Sequence, residues 1–351
     1  MMAKNRRETG LDLLRIYACF SLLPFHLCIY GVRHEESLLN YTDTFIKALF
    51  EYHVPLFLMI TGALFLSLEK IDLKRLFTHN ILHLFFVYLF WSFIYAIFDV
   101  LLNLQNVTDV KGLARWIIMS TRDSHYHLWY LPTIISIYIL LPVFHAAFHN
   151  TAFHGILKYA VCIFAVFGVL IKTLLLIPVK FDTYGVLLKK VDVGTFAGYI
   201  GFVFTGYLLY SIKDRITKRQ MLILSAVSVI CIAVTEIVNL SRVPEEGINT
   251  YFLYFPIPCF IIECTLFLLF ERINPERFEK RSGFIKGVSE CMLGVYCLHD
   301  IMISIVEKLF AFIPDGLYIL KLVVIAVISF VLCTSVVFFM RKSRILRQIA
   351  V

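Results

Sequence analysis

Charged side chains are scarce in this chain, and their scarcity excludes an ordinary soluble domain. Asp, Glu, Lys and Arg make up 17% of the 351 residues, whereas hydrophobic residues make up 60%. A soluble globular domain carries more charge and shorter apolar runs. The apolar residues here fall in blocks of about twenty, the length that a helix needs to cross a hydrocarbon core of about 30 Å. We therefore predict an integral membrane protein.

The chain also lacks the sequence patterns of several common sites. Its nine cysteines form no CxxC pair and no Cys/His cluster with metal-ligand spacing, so we expect neither disulfides nor a metal site. It has no Gly-rich phosphate loop, internal repeat or low-complexity tract. The net charge of +8 does not indicate a nucleic-acid partner, because the basic residues are confined to particular loops, as membrane topology requires.

The apolar blocks predict an all-α fold, a polytopic membrane helical bundle that forms one domain over residues 1–351. No small-residue cleavage site follows the first block, so we expect it to remain as a signal anchor. Alternate loops carry most of the Lys and Arg, which predicts cytoplasmic termini and a multi-pass protein of the plasma membrane. About ten transmembrane helices are expected, at 11–30, 46–67, 81–102, 129–148, 156–178, 196–212, 220–239, 252–270, 292–312 and 318–340.

Two basic residues interrupt the first apolar block. Arg15 and His26 project from nearly the same face of a helix, roughly 16 Å apart along its axis. Such side chains are costly at membrane depth and indicate a functional site. Arg15 either reaches back to the cytoplasmic interface or receives an anionic ligand group. His26 either makes a structural hydrogen bond between helices or acts as a general base.

Further polar and aromatic residues at membrane depth can shape a cavity around His26. Each also has a structural interpretation, as a packed histidine or as part of the aromatic belt at the membrane interface. Asp300 follows His299. A His-Asp pair inside a span costs free energy unless the two groups have partners or are hydrated. The candidate acceptor-binding or cavity-lining residues are Glu51, His53, Trp129, Tyr130, Tyr296 and His299.

A basic stretch before the third span is a candidate donor site. Topology alone explains its charge, but the stretch lies next to the predicted inner mouth of the bundle. If a nucleotide-bearing donor docks from the cytosol, these side chains are natural phosphate contacts. They are Lys74, Arg75, His79 and His83.

Four motifs, in this order, resemble the acyltransferase 3 family of integral-membrane O-acyltransferases. Gly10-Leu-Asp-Leu-Leu-Arg15, running on to His26, resembles the opening motif of that family. Val54-Pro-Leu-Phe-Leu-Met-Ile-Thr-Gly62 resembles its second-span signature. His127-Leu-Trp-Tyr-Leu131 resembles its fourth span, and Gly294-Val-Tyr-Cys-Leu-His299 its late-span pattern. The resemblance covers essentially the whole chain.

The resemblance implies transfer of an acyl group, usually acetyl, from cytosolic acyl-CoA to a hydroxyl. The acceptor is usually an envelope carbohydrate or a lipid-linked glycan. Arg15 and His26 would be the essential pair. His79 and His83 stand where many members have arginines that are proposed to contact the donor, so the chain departs from the family there.

We therefore expect an acyl-CoA-dependent acyltransferase, with His26 as base or acyl acceptor. Arg15 would position the donor, by holding its phosphate or by polarising the thioester carbonyl. An alternative is an exporter of a glycan or lipid-linked sugar, because membrane-depth His, Glu and Lys also suit a proton-coupled path. No inverted repeat is visible, which weighs against transport. A scaffold in a polysaccharide synthesis machine is a weaker interpretation.

Overall fold

The protein is a bundle of α-helices, and the described residues contain no β-strand. The structure, a computed structural model, describes residues 9–31, 37–102, 118–119, 121, 125–153, 155–176, 198–241 and 256–350. The main helices are α1 (Thr9–Gly31), α2 (Ser37–Phe50), α3 (His53–Phe65), α4 (Leu82–Leu102), α5 (Tyr130–His149), α6 (Ile156–Ile163), α7 (Ile200–Ile212), α8 (Lys218–Ser241), α9 (Pro256–Glu271), α10 (Ser282–Ser289), α11 (Met292–Leu309), α12 (Tyr318–Met340) and α13 (Arg344–Ile349).

Short helical segments extend three of these helices. The segments Leu73–Arg75 and Leu76–Ile81 lead directly into α4, and the turn Tyr126–Trp129 leads into α5. Helix α6 continues through Phe164–Leu170 and Ile171–Leu176.

The apolar blocks do form membrane-length helices, as the sequence predicts. Within the described residues, seven helices are long and apolar enough to cross a membrane, or eight if Pro275–Ser289 and Met292–Leu309, bent by 58°, form one broken span. The sixth and eighth predicted spans correspond to α7 and α9, which have 13 and 16 residues. Some ends of the predicted spans (177–178, 196–197 and 252–255) lie outside the described residues. The count of ten and the cytoplasmic termini remain predictions.

Helix α1 lies at the centre of the bundle. It packs against α2, α3, α9, α10, α11 and α12, and its residues Leu14, Ala18 and Leu22 are buried. The outer helices α8 and α12 instead expose aliphatic side chains such as Val229 and Val331, as helices facing lipid do. Because α1 is surrounded by other helices, its ionisable side chains can find partners inside the protein.

The second predicted span is divided into α2 and α3 by a turn at Glu51 and Tyr52. Pro55 has no N–H to donate to the carbonyl of Glu51, so the regular helical ladder cannot continue through this point. An irregular backbone is tolerated at membrane depth where it lines a cavity or is buried in protein. Both Glu51 and His53 line a cavity here, so the turn lies at the wall of the site described below.

Two glycines allow α3 and α7 to pack backbone against backbone. A Cβ atom on Gly62 would lie 1.8 Å from the carbonyl oxygen of Val203, and one on Gly206 would lie 2.1 Å from that of Met59. Backbone atoms cannot move aside as the end of a flexible side chain can. A larger residue at either position would therefore push the two helices apart.

We expect Gly62→Ala to destabilise the folded protein by about 1–3 kcal/mol, because the extra methyl group overpacks this contact. Thermal unfolding in detergent micelles measures the change as a lower midpoint. Gly283→Ala is the matched control, because a Cβ atom there meets nothing within 4 Å and alanine favours the helix. Equal midpoints for the two variants would contradict the close packing.

Candidate active site

Helix α1 carries Arg15 and His26 to the walls of two different cavities. His26 lines a cavity of about 640 Å³, which we call the His26 cavity. Arg15 lines a cavity of about 270 Å³, which we call the Arg15 cavity. Pro24 lies inside the helix two residues before His26. Because proline lacks an N–H, it loosens the helical ladder beside the imidazole.

The His26 cavity has a polar and aromatic wall. It contains five of the six residues that the sequence predicted around His26, namely Glu51, His53, Trp129, Tyr130 and Tyr296. The sixth, His299, packs against His26 with ring centroids 4.9 Å apart. Lining residues that were not among the predicted site residues include Tyr126, His127, Lys172 and Tyr199.

A chain of hydrogen bonds joins Asp300 to His26 through Tyr126. The Tyr126 hydroxyl donates to Asp300 Oδ1 at 3.1 Å and lies 2.6 Å from His26 Nδ1. A hydroxyl has one hydrogen, and the bond to Asp300 uses it, so Nδ1–H of His26 donates to the Tyr126 oxygen. Neutral His26 therefore carries its proton on Nδ1. Its Nε2 keeps the lone pair that a general base needs.

Four histidines gather around Asp300. The rings of His127 and His299 have centroids 4.8 Å apart, and the Nδ1 atoms of His125 and His127 are separated by 2.9 Å. His125 Nε2 lies 3.5 Å from Asp300 Oδ2. Two triplets, His26–His299–Asp300 and His125–His127–Asp300, each bring one ligand atom per residue within 4.8 Å of the others. This region therefore offers both proton-transfer groups and metal-binding groups.

The guanidinium of Arg15 contacts Ser289 and Asp12. Its Nη1 donates to Ser289 Oγ at 3.0 Å and lies 3.5 Å from Asp12 Oδ1. Ser289 Oγ in turn donates to the same oxygen of Asp12 at 2.7 Å. The Arg15 side chain is 26% exposed and faces the cavity, as the ligand-binding hypothesis requires.

Two tyrosines lie between the cavities. Tyr130 and Tyr296 line both the His26 cavity and the Arg15 cavity, and their ring centroids are 5.6 Å apart with nearly perpendicular planes. The Tyr296 hydroxyl donates to the carbonyl oxygen of His127, which fixes this ring. The tyrosine pair therefore forms a shared wall, and a ligand reaching from one cavity to the other must pass it.

Of the predicted donor-binding residues, Arg15 lines a cavity, whereas the four of the basic stretch lie outside both cavities. Lys74, Arg75 and His79 are exposed on the helical segments before α4, and His83 Nδ1 is 3.0 Å from the carbonyl oxygen of Gln348. Leu84, the next residue, lines the Arg15 cavity. The basic stretch thus borders the Arg15 cavity without lining it, as far as the described residues show.

Comparison with known proteins gives one match. A family model described as an acyltransferase domain, acyltransferase 3, matches residues 8–338, nearly the whole chain. Neither a curated protein nor a solved structure matches the chain. The matched range includes both cavities and every predicted site residue.

We expect neutral His26 to carry its proton on Nδ1. The chemical shifts of the ring nitrogens in protein labelled with ¹⁵N-histidine report the tautomer, and the His26 signal is identified by its loss in His26→Gln. Tyr126→Phe removes the acceptor and should let the two tautomers mix. Tyr318→Phe is the control, because that hydroxyl bonds Asp43 instead. A predominant Nε2–H tautomer in the unaltered protein would rule out the inferred hydrogen-bond chain.

Proposed function

Because the chain belongs to the acyltransferase 3 family of membrane acyltransferases, we propose that it transfers an acyl group from acyl-CoA to a hydroxyl of an envelope or lipid-linked carbohydrate. Acetyl-CoA is the donor we would test first. The observation that carries this proposal is that one central helix places Arg15 at one cavity and His26 at another. With Nδ1–H bonded to Tyr126, Nε2 of His26 is unprotonated. We propose that the protein lies in the plasma membrane with both termini in the cytoplasm, so that Arg15 faces the donor side.

His26 is the proposed general base. Its Nε2 takes the proton of the acceptor hydroxyl while the hydroxyl oxygen attacks the carbonyl carbon of the thioester. The C–S bond then breaks, and the coenzyme A thiolate takes the proton back from the imidazolium. The Nδ1–H bond to Tyr126, and through it the bond to Asp300, keeps the imidazole oriented and stabilises its charged form, as the acid does in a Ser-His-Asp triad.

Arg15 is proposed to bind the donor rather than to polarise the reacting carbonyl. It is roughly 16 Å from His26 along the helix axis, and it lines the other cavity. A guanidinium that far away cannot bond the carbonyl oxygen at the moment of attack. It can bind the phosphates of coenzyme A, for which its planar fork is well suited. Lys74, Arg75, His79 and His83 border this cavity and would extend the phosphate site.

The donor would reach His26 by its flexible arm. With its nucleotide beside Arg15, coenzyme A would extend its thioester end past Tyr130 and Tyr296 into the His26 cavity. The two rings would enclose the arm and limit the access of water to the thioester. This route accounts for the distance between Arg15 and His26 on α1.

The remaining wall of the His26 cavity suits a carbohydrate. Trp129 and Tyr199, whose ring centroids are 5.1 Å apart, offer aromatic faces. Glu51, His53 and Lys172 line the same cavity and can hydrogen-bond sugar hydroxyls. A cavity with apolar faces and a few polar groups is typical of small-molecule sites. The acceptor would therefore be bound within the bundle.

The glycan exporter considered from the sequence is not favoured, because the family match is to an acyltransferase domain. The two functions differ in a simple observable. An acyltransferase releases one coenzyme A for each acyl group transferred in detergent, where no gradient exists. An exporter releases none.

We expect purified protein in dodecyl maltoside to release coenzyme A from acetyl-CoA and to acetylate the detergent, which serves as a model lipid-linked sugar. His26→Gln should lower turnover about 10²–10⁴-fold, because the reaction loses its general base. Chromatography should measure the coenzyme A, since nine cysteines in the protein would consume a thiol reagent. Label from [¹⁴C]acetyl-CoA that stays on the unaltered protein but not on His26→Gln would indicate that His26 accepts the acyl group instead.

The control for His26→Gln is His149→Gln, an exposed histidine that lines neither cavity. In the same assay, Arg15→Gln should raise the KM for acetyl-CoA far more than the KM for the acceptor. Arg215→Gln, on an exposed turn, should change neither. Unchanged turnover in His26→Gln would remove His26 from the mechanism, and equal effects of Arg15→Gln on both KM values would contradict a donor role.

A further inference from the structure

The segment before α5 faces α11 with metal-binding atoms on both sides. His125 and His127 come from the segment, and Asp300 comes from α11. One ligand atom from each of the three residues lies within 4.8 Å of the other two. Two imidazoles and one carboxylate form a ligand set typical of zinc sites that keep a fourth position open.

The three side chains already lie close to one another, at distances comparable with those between the ligands of one ion. Two ligand atoms on a tetrahedral zinc ion are about 3.3 Å apart, because each lies 2.0–2.1 Å from the metal. The Nδ1 atoms of His125 and His127 are 2.9 Å apart, and His125 Nε2 is 3.5 Å from Asp300 Oδ2. His125 meets His127 through Nδ1 and Asp300 through Nε2, so the rings must turn for one nitrogen of each and the carboxylate to bind one ion. One atom of each residue lies within 4.8 Å of the other two before any such movement.

Two buried imidazole nitrogens near this point have no hydrogen-bond partner among the described residues. They are Nε2 of His127 and Nε2 of His299, and both side chains are almost completely buried, at 3% and 0% exposed. Buried polar atoms are nearly always satisfied, so each exception requires an explanation such as an ion or a water molecule. A metal ion bound through Nε2 of His127 would give that nitrogen a partner.

We propose that His125, His127 and Asp300 bind a divalent transition-metal ion, with zinc the first to be tested. Imidazole nitrogens suit zinc and its neighbours, whereas magnesium and calcium prefer sites made of oxygen ligands alone. Asp300 can accept the Tyr126 hydrogen bond and bind the ion at the same time, because Oδ1 accepts from Tyr126 while Oδ2 faces His125. The ion would fasten the segment before α5 onto α11, beside the His26 cavity.

Metal binding does not depend on the proposed acyl transfer, and it is measured without turnover. The full chain is purified with an affinity tag that contains no histidine, stripped with a chelator and equilibrated with Zn²⁺ alone. Mass spectrometry of the metal content then gives the number of ions per chain. Co²⁺ in place of Zn²⁺ gives visible absorption bands whose position and strength report nitrogen coordination.

We expect one Zn²⁺ per chain, and at least tenfold weaker binding in His125→Gln and in Asp300→Asn. His125 is partly exposed, so its variant is the less disruptive of the two. His149→Gln is the matched control, because His145 and His149 form a stacked pair elsewhere, with centroids 4.1 Å apart, that can hold an adventitious ion. The proposal is overturned if the chain binds no zinc, if both site variants bind it as the unaltered chain does, or if His149→Gln abolishes binding.

Discussion

An imidazole buried at membrane depth must find a partner for its N–H, and this requirement organises the site. Tyr126 supplies the partner for His26, and its own hydrogen goes to Asp300. Three separate parts of the chain are joined by these two bonds: the central helix, the segment before α5 and α11. With Nδ1–H donating to Tyr126, Nε2 of neutral His26 is unprotonated, as the proposed role of a general base requires.

The central helix also sets the distance over which the proposed reaction must operate. Arg15 and His26 lie about three turns apart and line different cavities, with Tyr130 and Tyr296 between them. A donor bound by its phosphates at one end needs a long flexible arm to deliver its acyl group at the other. Coenzyme A has such an arm. Separation of the two substrates keeps the acceptor site accessible from its own side while the donor occupies the other.

Much of the fold could be predicted because apolar runs dictate helices in a membrane. The cost of burying Arg15 and His26 was enough to select them as candidate site residues. Their neighbours could not be predicted in the same way. Tyr126 and Asp300 are 174 residues apart in the chain, and nothing local marks them as partners. The proposed metal-binding triplet was missed for a similar reason, since spacing rules detect ligands that are close in sequence and Asp300 lies far from His125 and His127. The break at Glu51 was also missed, although Pro55 is its visible cause.

A cryo-EM map of the protein with a ketone analogue of acetyl-CoA, which cannot transfer its acyl group, tests the central claim most directly. The account predicts the nucleotide beside Arg15, the arm between Tyr130 and Tyr296, and the carbonyl carbon in the His26 cavity facing Nε2. A map with the nucleotide in the His26 cavity, or with the carbonyl group confined to the Arg15 side of the tyrosine pair, would contradict it.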